Sequence, residues 1–525
     1  MKKNDNQNTT AALTLDNPSG LGLFKLTAFA IGTTLASGVF SVSTDLAANG
    51  AGTLAVLIGW TIAGVGMYGL AMCFYRLSVV RPDLQSGIFS YAREGFGEYI
   101  GFNSAWGYWL SAMLSQVSFA TLLFAAIGQF FAIFGDGNNL FSIICASAIL
   151  WLFTLFILGG VQEAVTINAV IVMAKLIPII VFIVVLIFLG AFDFDIFMGN
   201  FMGRDTGMTL GQQILQTTYT TVWIFTGIEG AVVISGRARN TQIAGRATGI
   251  SFLSLLILYV AISLLSMGVM PRAELAALPN PPMAGLLASI VGPWGSILIN
   301  IGVIISIGGA MFSYTILTAD CAYAPAKLGC FPRFLARENK NGAPVASLLT
   351  TTAIVQVFLI IVYFQESTYQ ICYTLSTSAI MIPFFLSALY CLKLTILAKG
   401  FRGKRRSASS TMKVRTKGAS GVSGSADGSG GQAALGKGNS PSVSVWAAAI
   451  IGSLYGAWML TSTGIQNILI SALLYGPGIG LYIWAKMERH KKILNSPTDF
   501  FTLVVLFIGF VISVILIANG EITVF

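Results

Sequence analysis

The sequence predicts an all-α polytopic membrane protein with a five-plus-five inverted-repeat core, broken first and sixth helices, and two to three extra C-terminal spans. Three observations carry that reading. The 525 residues are 55% hydrophobic and only 10% charged, with a mean hydropathy of +0.80, whereas soluble domains carry about 25% charged residues. Apolar runs of about 20 residues, the length needed to cross a bilayer, recur along the chain. Two of those runs are interrupted by glycine at mid-span: Ile31-Gly32-Thr33-Thr34-Leu35-Ala36-Ser37-Gly38-Val39-Phe40 and Thr226-Gly227-Ile228-Glu229-Gly230. Paired interruptions, one early in each half of the chain, point to the discontinuous helices of a carrier.

Residues 1–20 are polar, with no apolar core before Leu21, so a cytoplasmic tail is expected rather than a cleavable signal. Thirteen spans follow, at 21–47, 52–76, 98–131, 140–159, 165–190, 210–236, 247–270, 286–324, 345–364, 367–397, 443–463, 466–486 and 499–518. The third, eighth and tenth are long enough to tilt or bend. With the N-terminus inside, every Lys and Arg falls on an inner segment except Arg204 and Arg272 on outer loops and Lys175 within the fifth span. That is the positive-inside pattern, and it sets a cytoplasmic N-terminus and, by odd span count, an extracytoplasmic C-terminus in the cell membrane.

Spans one to five (21–190) and six to ten (210–397) form two repeats. An odd number of spans in each forces opposite orientation, with the substrate site near mid-membrane where the breaks meet. Residues 398–442 begin basic and become Gly/Ser-rich, a composition that cannot bury a core and reads as a cytoplasmic loop. Spans eleven to thirteen (443–518) read as peripheral.

The breaks have chemistry of their own. Unwinding at Thr34–Gly38 frees N–H groups at the positive end of the next half-helix, which suits a carboxylate, with Ser37 and Gly38 as the candidate contacts. Unwinding at Phe225–Gly230 frees carbonyls that suit an ammonium group. Small-residue helix packing is the plainer explanation of either break alone; the matched pair favours a site. Trp223 lies one turn before the second break, placed to cover a substrate or attract a cationic side chain. Glu229, a carboxylate at mid-membrane, is the expected residue for gating or proton coupling.

Six cysteines without a CxxC pair, and His490 as the single histidine, leave no disulfide framework or zinc site in view. No cofactor is expected. The net charge of +10 follows from topology and anionic lipid rather than from nucleic acid.

These residues carry a family resemblance from Gly22 to about Lys492. IGTTLASGVF (31–40), WIFTGIEGA (223–231) followed by RARN, and the helix-eight stretch 313–348 resemble the basic amino acid/polyamine antiporters of the amino acid/polyamine/organocation transporters. The stretches 373–394 and 473–489 are similar to the arginine/ornithine branch in particular. The resemblance implies a LeuT-like core and a carboxylate cradle at Ser37 and Gly38. It implies carbonyl contacts from Ile31 to Thr34 and from Trp223 through Ile224 and Phe225 to Ile228, and a gating role for Glu229. It further implies side-chain contacts from Tyr108, Ser111, Ala112 and Gln116. Three positions depart from the pattern: Tyr314 stands where the family has tryptophan, Gln116 where asparagine is common, and the 87–93 motif lacks its first tyrosine.

The expected function is therefore exchange of external L-arginine for internal L-ornithine by alternating access. Another amino acid or amine exchanger (lysine, histidine or polyamine type) and a proton-coupled permease are the alternatives within the fold. A non-transporting membrane receptor or scaffold, signalling through 398–442, is the rival outside it. Amino acids and membrane lipid are the expected partners; the oligomeric state, a homodimer included, is left open.

Overall fold

The structure is a computed structural model that describes residues 20–81, 83–84, 87–159, 161–234, 238–239, 241–364, 368–411, 442–462, 464–494 and 496–519. Nearly all of the N-terminal tail, and 412–441 of the predicted loop, lie outside the described residues. Helices account for the fold; among the described residues the only β feature is an isolated bridge between Leu21 and Ala238. Eleven of the described helices are long and apolar enough to cross a membrane.

The first span is two helices, α1 (Leu23–Thr34) and α2 (Gly38–Ala48), separated by Leu35–Ser37. The second span is α3 (Thr53–Val80), and a short amphipathic helix, α4 (Ile88–Phe96), follows between two glycines with positive φ, Gly87 and Gly97. Then come α5 (Glu98–Gly128), α6 (Leu140–Gly159), α7 (Val161–Phe188) and the short α8 (Phe194–Gly199). The sixth span is again divided, into α9 (Leu210–Phe225) and α10 (Gly230–Val233). Thr209 and Gln212 start α9 with a reciprocal capping box, which pairs two of the N–H groups a helix start otherwise leaves bare. The chain continues through α11 (Thr241–Ser266), α12 (Arg272–Ala276), α13 (Pro282–Val291), α14 (Pro293–Lys327), α15 (Val345–Val362) and α16 (Thr368–Thr411). It closes with α17 (Val443–Ser462), α18 (Gly464–Met487) and α19 (Pro497–Ala518).

Helices fall within every predicted span, the eighth (286–324) being divided at Gly292 between α13 and α14, and the three long helices are α5, α14 and α16, of 31, 35 and 44 residues. The tenth runs on to Thr411, past the 397 at which the sequence reading ends it. The sequence reading lists no helix at α4.

Helix α5 is the axis of the bundle, packed by α14 and α16 and buried along almost its whole length. Between membrane helices the driving force is close packing rather than exclusion of water, so small residues matter at the crossings. A Cβ on Gly69 would stand 2.8 Å from the Gly452 nitrogen, so α3 and α17 touch backbone to backbone. Helix α17 is thus built into the bundle rather than peripheral, and Trp458 Nε1 donates to Thr218 Oγ1 of α9 at 3.2 Å. Helix α19 is mostly exposed, with Asp499 and Ser513 its only buried residues.

The two ends of the bundle differ in charge. At one end Arg81 donates to Asp83 at 2.7 Å, to Glu94 at 3.2 Å and to Tyr390 at 2.6 Å. Beside it Lys486 pairs with Glu98, and Arg489 donates to the Phe331 carbonyl at 2.6 Å. The Arg81 guanidinium holds the Asp83 carboxyl below its ordinary value of 3.8. At the other end Arg272 pairs with Asp205 and donates to the Ala47 carbonyl, a cation at the negative end of α2.

Candidate functional site

The first break leaves carbonyls at the end of α1 without helical partners. Lys175 reaches them from α7: its Nζ donates to the Gly32 carbonyl at 2.8 Å and to the Leu35 carbonyl at 2.6 Å. Ser306 Oγ adds a 3.3 Å bond to the same Leu35 carbonyl, and Tyr259 donates to the Thr34 carbonyl at 3.3 Å. A fully buried ammonium is tolerated here because every bond it makes is to a carbonyl that the break has orphaned. The helix dipole points the same way, since the C-terminal end of α1 is its negative end.

The second break turns at Gly227, whose φ of 103° is a conformation L side chains avoid. A Cβ there would also sit 2.7 Å from the Thr33 carbonyl, so the two breaks meet at this glycine. Thr33 Oγ1 donates to the Gly227 carbonyl at 2.8 Å and ties them together. Glu229, fully buried, precedes the first residue of α10 and accepts from the Gly227 N–H at 3.2 Å and from the Tyr108 hydroxyl at 2.5 Å. The ammonium therefore sits at a helix end, where the backbone dipole favours its charge, while the carboxylate is held by the Gly227 N–H and the Tyr108 hydroxyl.

The other candidate residues sort by what they touch. Ser37 precedes α2, and its hydroxyl is buried without a hydrogen-bond partner. Gly38 faces the second broken helix directly: a Cβ would stand 2.6 Å from Ile224 Cγ2 and 3.3 Å from Trp223 Cδ1. Trp223 Nε1 and Gln116 Oε1 are likewise buried and unpartnered. Gln116 is positioned by its amide nitrogen, which donates to Thr315 Oγ1 on α14 at 2.9 Å. Ring centroids of Trp223 lie 6.0 Å from Phe119 and 5.6 Å from Tyr373, and Phe119 meets Tyr314 edge-on at 4.9 Å. Tyr314 donates to the Thr226 carbonyl at 3.4 Å. These groups make an aromatic wall across the junction of the breaks.

Other candidates face elsewhere. The Thr34 hydroxyl bonds back to Ala30 within its own helix at 2.6 Å, and Ile31 is only partly buried. Ser111 is 2.9 Å from Ser376 Oγ on α16, with Ala112 buried beside it in α5. The Phe225 ring packs against Phe252 and Tyr259 of α11, away from the wall, while Ile228 is buried in the break itself. Tyr108, expected to touch substrate, spends its hydroxyl on Glu229. Sequence reasoning missed Lys175, Phe119 and Tyr373. For Lys175 the signal was in view, since a lysine inside a span is a functional candidate by default. For Phe119 and Tyr373 there was none, because their partners are distant in sequence.

Two interrupted membrane helices, joined at their breaks and flanked by a buried acid and a buried base, define a transport protein of the membrane. The chain belongs to the amino acid permease family, whose model matches residues 21–415. It is 39% identical over 485 residues to an arginine/ornithine antiporter of Pseudomonas aeruginosa, covering 91% of this chain and 93% of that one. It is 34% identical to an L-lysine transport protein of Corynebacterium glutamicum, with 95% of each chain covered. An arginine/agmatine antiporter of Chlamydia trachomatis is also 34% identical, over 90% of this chain and 91% of that one. The family expected from the sequence motifs is the family found. Amino acid transport across a membrane is the activity this membership supports.

Proposed function

We propose that the chain exchanges external L-arginine for internal L-ornithine by alternating access about the junction of the two breaks. The observation that carries the reading is a pair of buried polar atoms without hydrogen-bond partners, Ser37 Oγ and Trp223 Nε1, set where Gly38 meets Trp223 across the two breaks. Buried polar atoms are ordinarily paired, so two at one crossing mark a place that a polar ligand completes. The start of α2, with Ser37 and Gly38, suits the substrate carboxylate, and the carbonyls of Trp223 to Ile228 suit its ammonium group. Trp223, Phe119 and Tyr314 offer ring faces to the distal cation. Arginine and ornithine share the amino acid head and each carries one net positive charge, so one-for-one exchange moves no net charge. The names of the relatives support the cationic class.

The basic end of the bundle is the cytoplasmic end in this reading, by the positive-inside rule. The loaded carrier rocks between its two faces, and exchange follows if only the substrate-bound form crosses readily. We assign the coupling of binding to that motion to Glu229, a reading supported by its hydrogen bond to Tyr108 of α5.

The test is uptake of labelled arginine into sealed proteoliposomes loaded with ornithine or left empty. Uptake that requires internal ornithine, and fails with internal alanine or glutamate, is the expected result. Equal uptake into empty vesicles overturns exchange and favours a uniporter or a proton-driven permease.

A further inference from the structure

The exchange reading gives no task to Asp45, a buried carboxylate of the first span. Ser37, Ser41, Asp45 and Asn49 recur at every fourth position of the first span, which places them on one face. At a rise of about 1.5 Å per residue, Asp45 stands about 12 Å beyond Ser37, toward the end opposite the basic cluster. Its residue is 6% exposed. Ser41 Oγ donates to Asp45 Oδ2 at 2.6 Å and lies 2.8 Å from the Tyr369 hydroxyl. Because Ser41 has a single proton, Tyr369 donates to Ser41 and Ser41 to Asp45. The Tyr369 ring packs on Tyr373 with centroids 5.5 Å apart, and Tyr373 on Trp223 at 5.6 Å, so this face leads from Asp45 to the aromatic wall at the junction. Further out, Asn49 donates to Thr220 Oγ1 on α9 at 3.2 Å.

Among the described residues no Lys or Arg forms an ion pair with Asp45. Arg272, which reaches the same end of α2, is engaged by Asp205 and the Ala47 carbonyl. A carboxylate withdrawn from water with a single hydroxyl partner is costly to keep charged unless a cation arrives. Lys175 and Glu229 have their orphaned backbone groups close by; Asp45 has no such duty, since it lies inside an unbroken helix.

We infer that Asp45, held by Ser41 and Tyr369, is a cation-selecting residue on the path between the non-basic face and the junction, where it meets the substrate's distal ammonium or guanidinium before the amino acid head is seated. The inference rests on the exchange reading, and it assigns selectivity to the external face in particular. A neutral amino acid, lacking the distal charge, gains nothing there.

The experiment compares the two faces of one carrier. Proteoliposomes of fixed orientation are assayed for half-saturation by external arginine and, separately, by internal ornithine. Asp45→Asn is expected to raise the external arginine value tenfold or more and to move the internal ornithine value less than twofold. Asp45→Glu is expected to restore most of the external affinity. Equal changes at both faces, or none at either in protein of normal abundance, overturn the inference. If Asp45→Asn does not fold, Ser41→Ala is measured instead. It removes the hydroxyl that holds the carboxylate and is expected to raise the external value about threefold with no internal change; a symmetric effect counts against the inference. A parent chain that exchanges normally while the variants match it sinks this inference alone. A parent inert to cationic amino acids sinks the exchange reading and this inference with it.

Discussion

The two helix breaks solve one problem with opposite charges. A helix that stops at mid-membrane exposes carbonyls on one side of the gap and N–H groups on the other, with no water to pair them. The first break meets its carbonyls with the Lys175 ammonium, delivered from α7. The second meets its Gly227 N–H with Glu229, delivered from within the break and steadied by Tyr108 of α5. One break is therefore held by a charge on a distant helix and the other by a charge in its own segment, with Tyr108, Thr33 and Tyr314 reaching it from α5, α1 and α14. The difference teaches where each counter-charge travels: the second break carries its own, whereas the first depends on α7.

Removing the ammonium should give the largest effect. Lys175→Met leaves the Gly32 carbonyl unpaired and weakens the hold on Leu35, costing on the order of 3 kcal/mol if each orphaned group costs about 1–3. Lower thermal stability in detergent, together with loss of exchange, is the expected outcome; a stable, active Lys175→Met carrier would break the comparison. Glu229→Gln should be milder for the fold, because an amide still accepts from Gly227 and Tyr108. Exchange is expected to slow by about 10- to 100-fold, and its dependence on pH to flatten, since the glutamine cannot exchange a proton. A pH–rate profile identical to the parent's would remove the coupling role. The smallest effect belongs to the wall between the breaks. Trp223→Ala is expected to raise the half-saturation for arginine by about 5- to 30-fold if the cation–π contact contributes about 1–2 kcal/mol, and the value for a neutral amino acid by less. Equal losses would make Trp223 a packing residue.

Much of this was legible in the sequence for local reasons. Span length is a count of apolar residues, and the breaks announce themselves through Ser37-Gly38 and through Gly227 and Gly230 around Glu229. The turn at Gly227 needs a residue that tolerates positive φ, and a glycine inside an apolar run is visible without a structure. The partners were not legible. Tyr108 and Glu229 are 121 positions apart, and Gln116 and Thr315 are separated by 199; nothing in either neighbourhood names the other. Lys175 was visible as an anomaly, but its task depends on a carbonyl geometry that exists only once α1 has ended at Thr34. The four-residue rhythm of Ser37, Ser41, Asp45 and Asn49 is likewise plain in the sequence. It acquires meaning only when Tyr369 and Trp223 are found along the same face.

The bond from Trp458 to Thr218 has a spectroscopic consequence. It joins a half-buried indole on α17 to the helix that leads into the second break, a few residues before Trp223. Indole emission responds to its hydrogen bonding, so once the other eight tryptophans are replaced, a shift of α9 against α17 changes the colour of Trp458. That motion then becomes readable without attaching a dye.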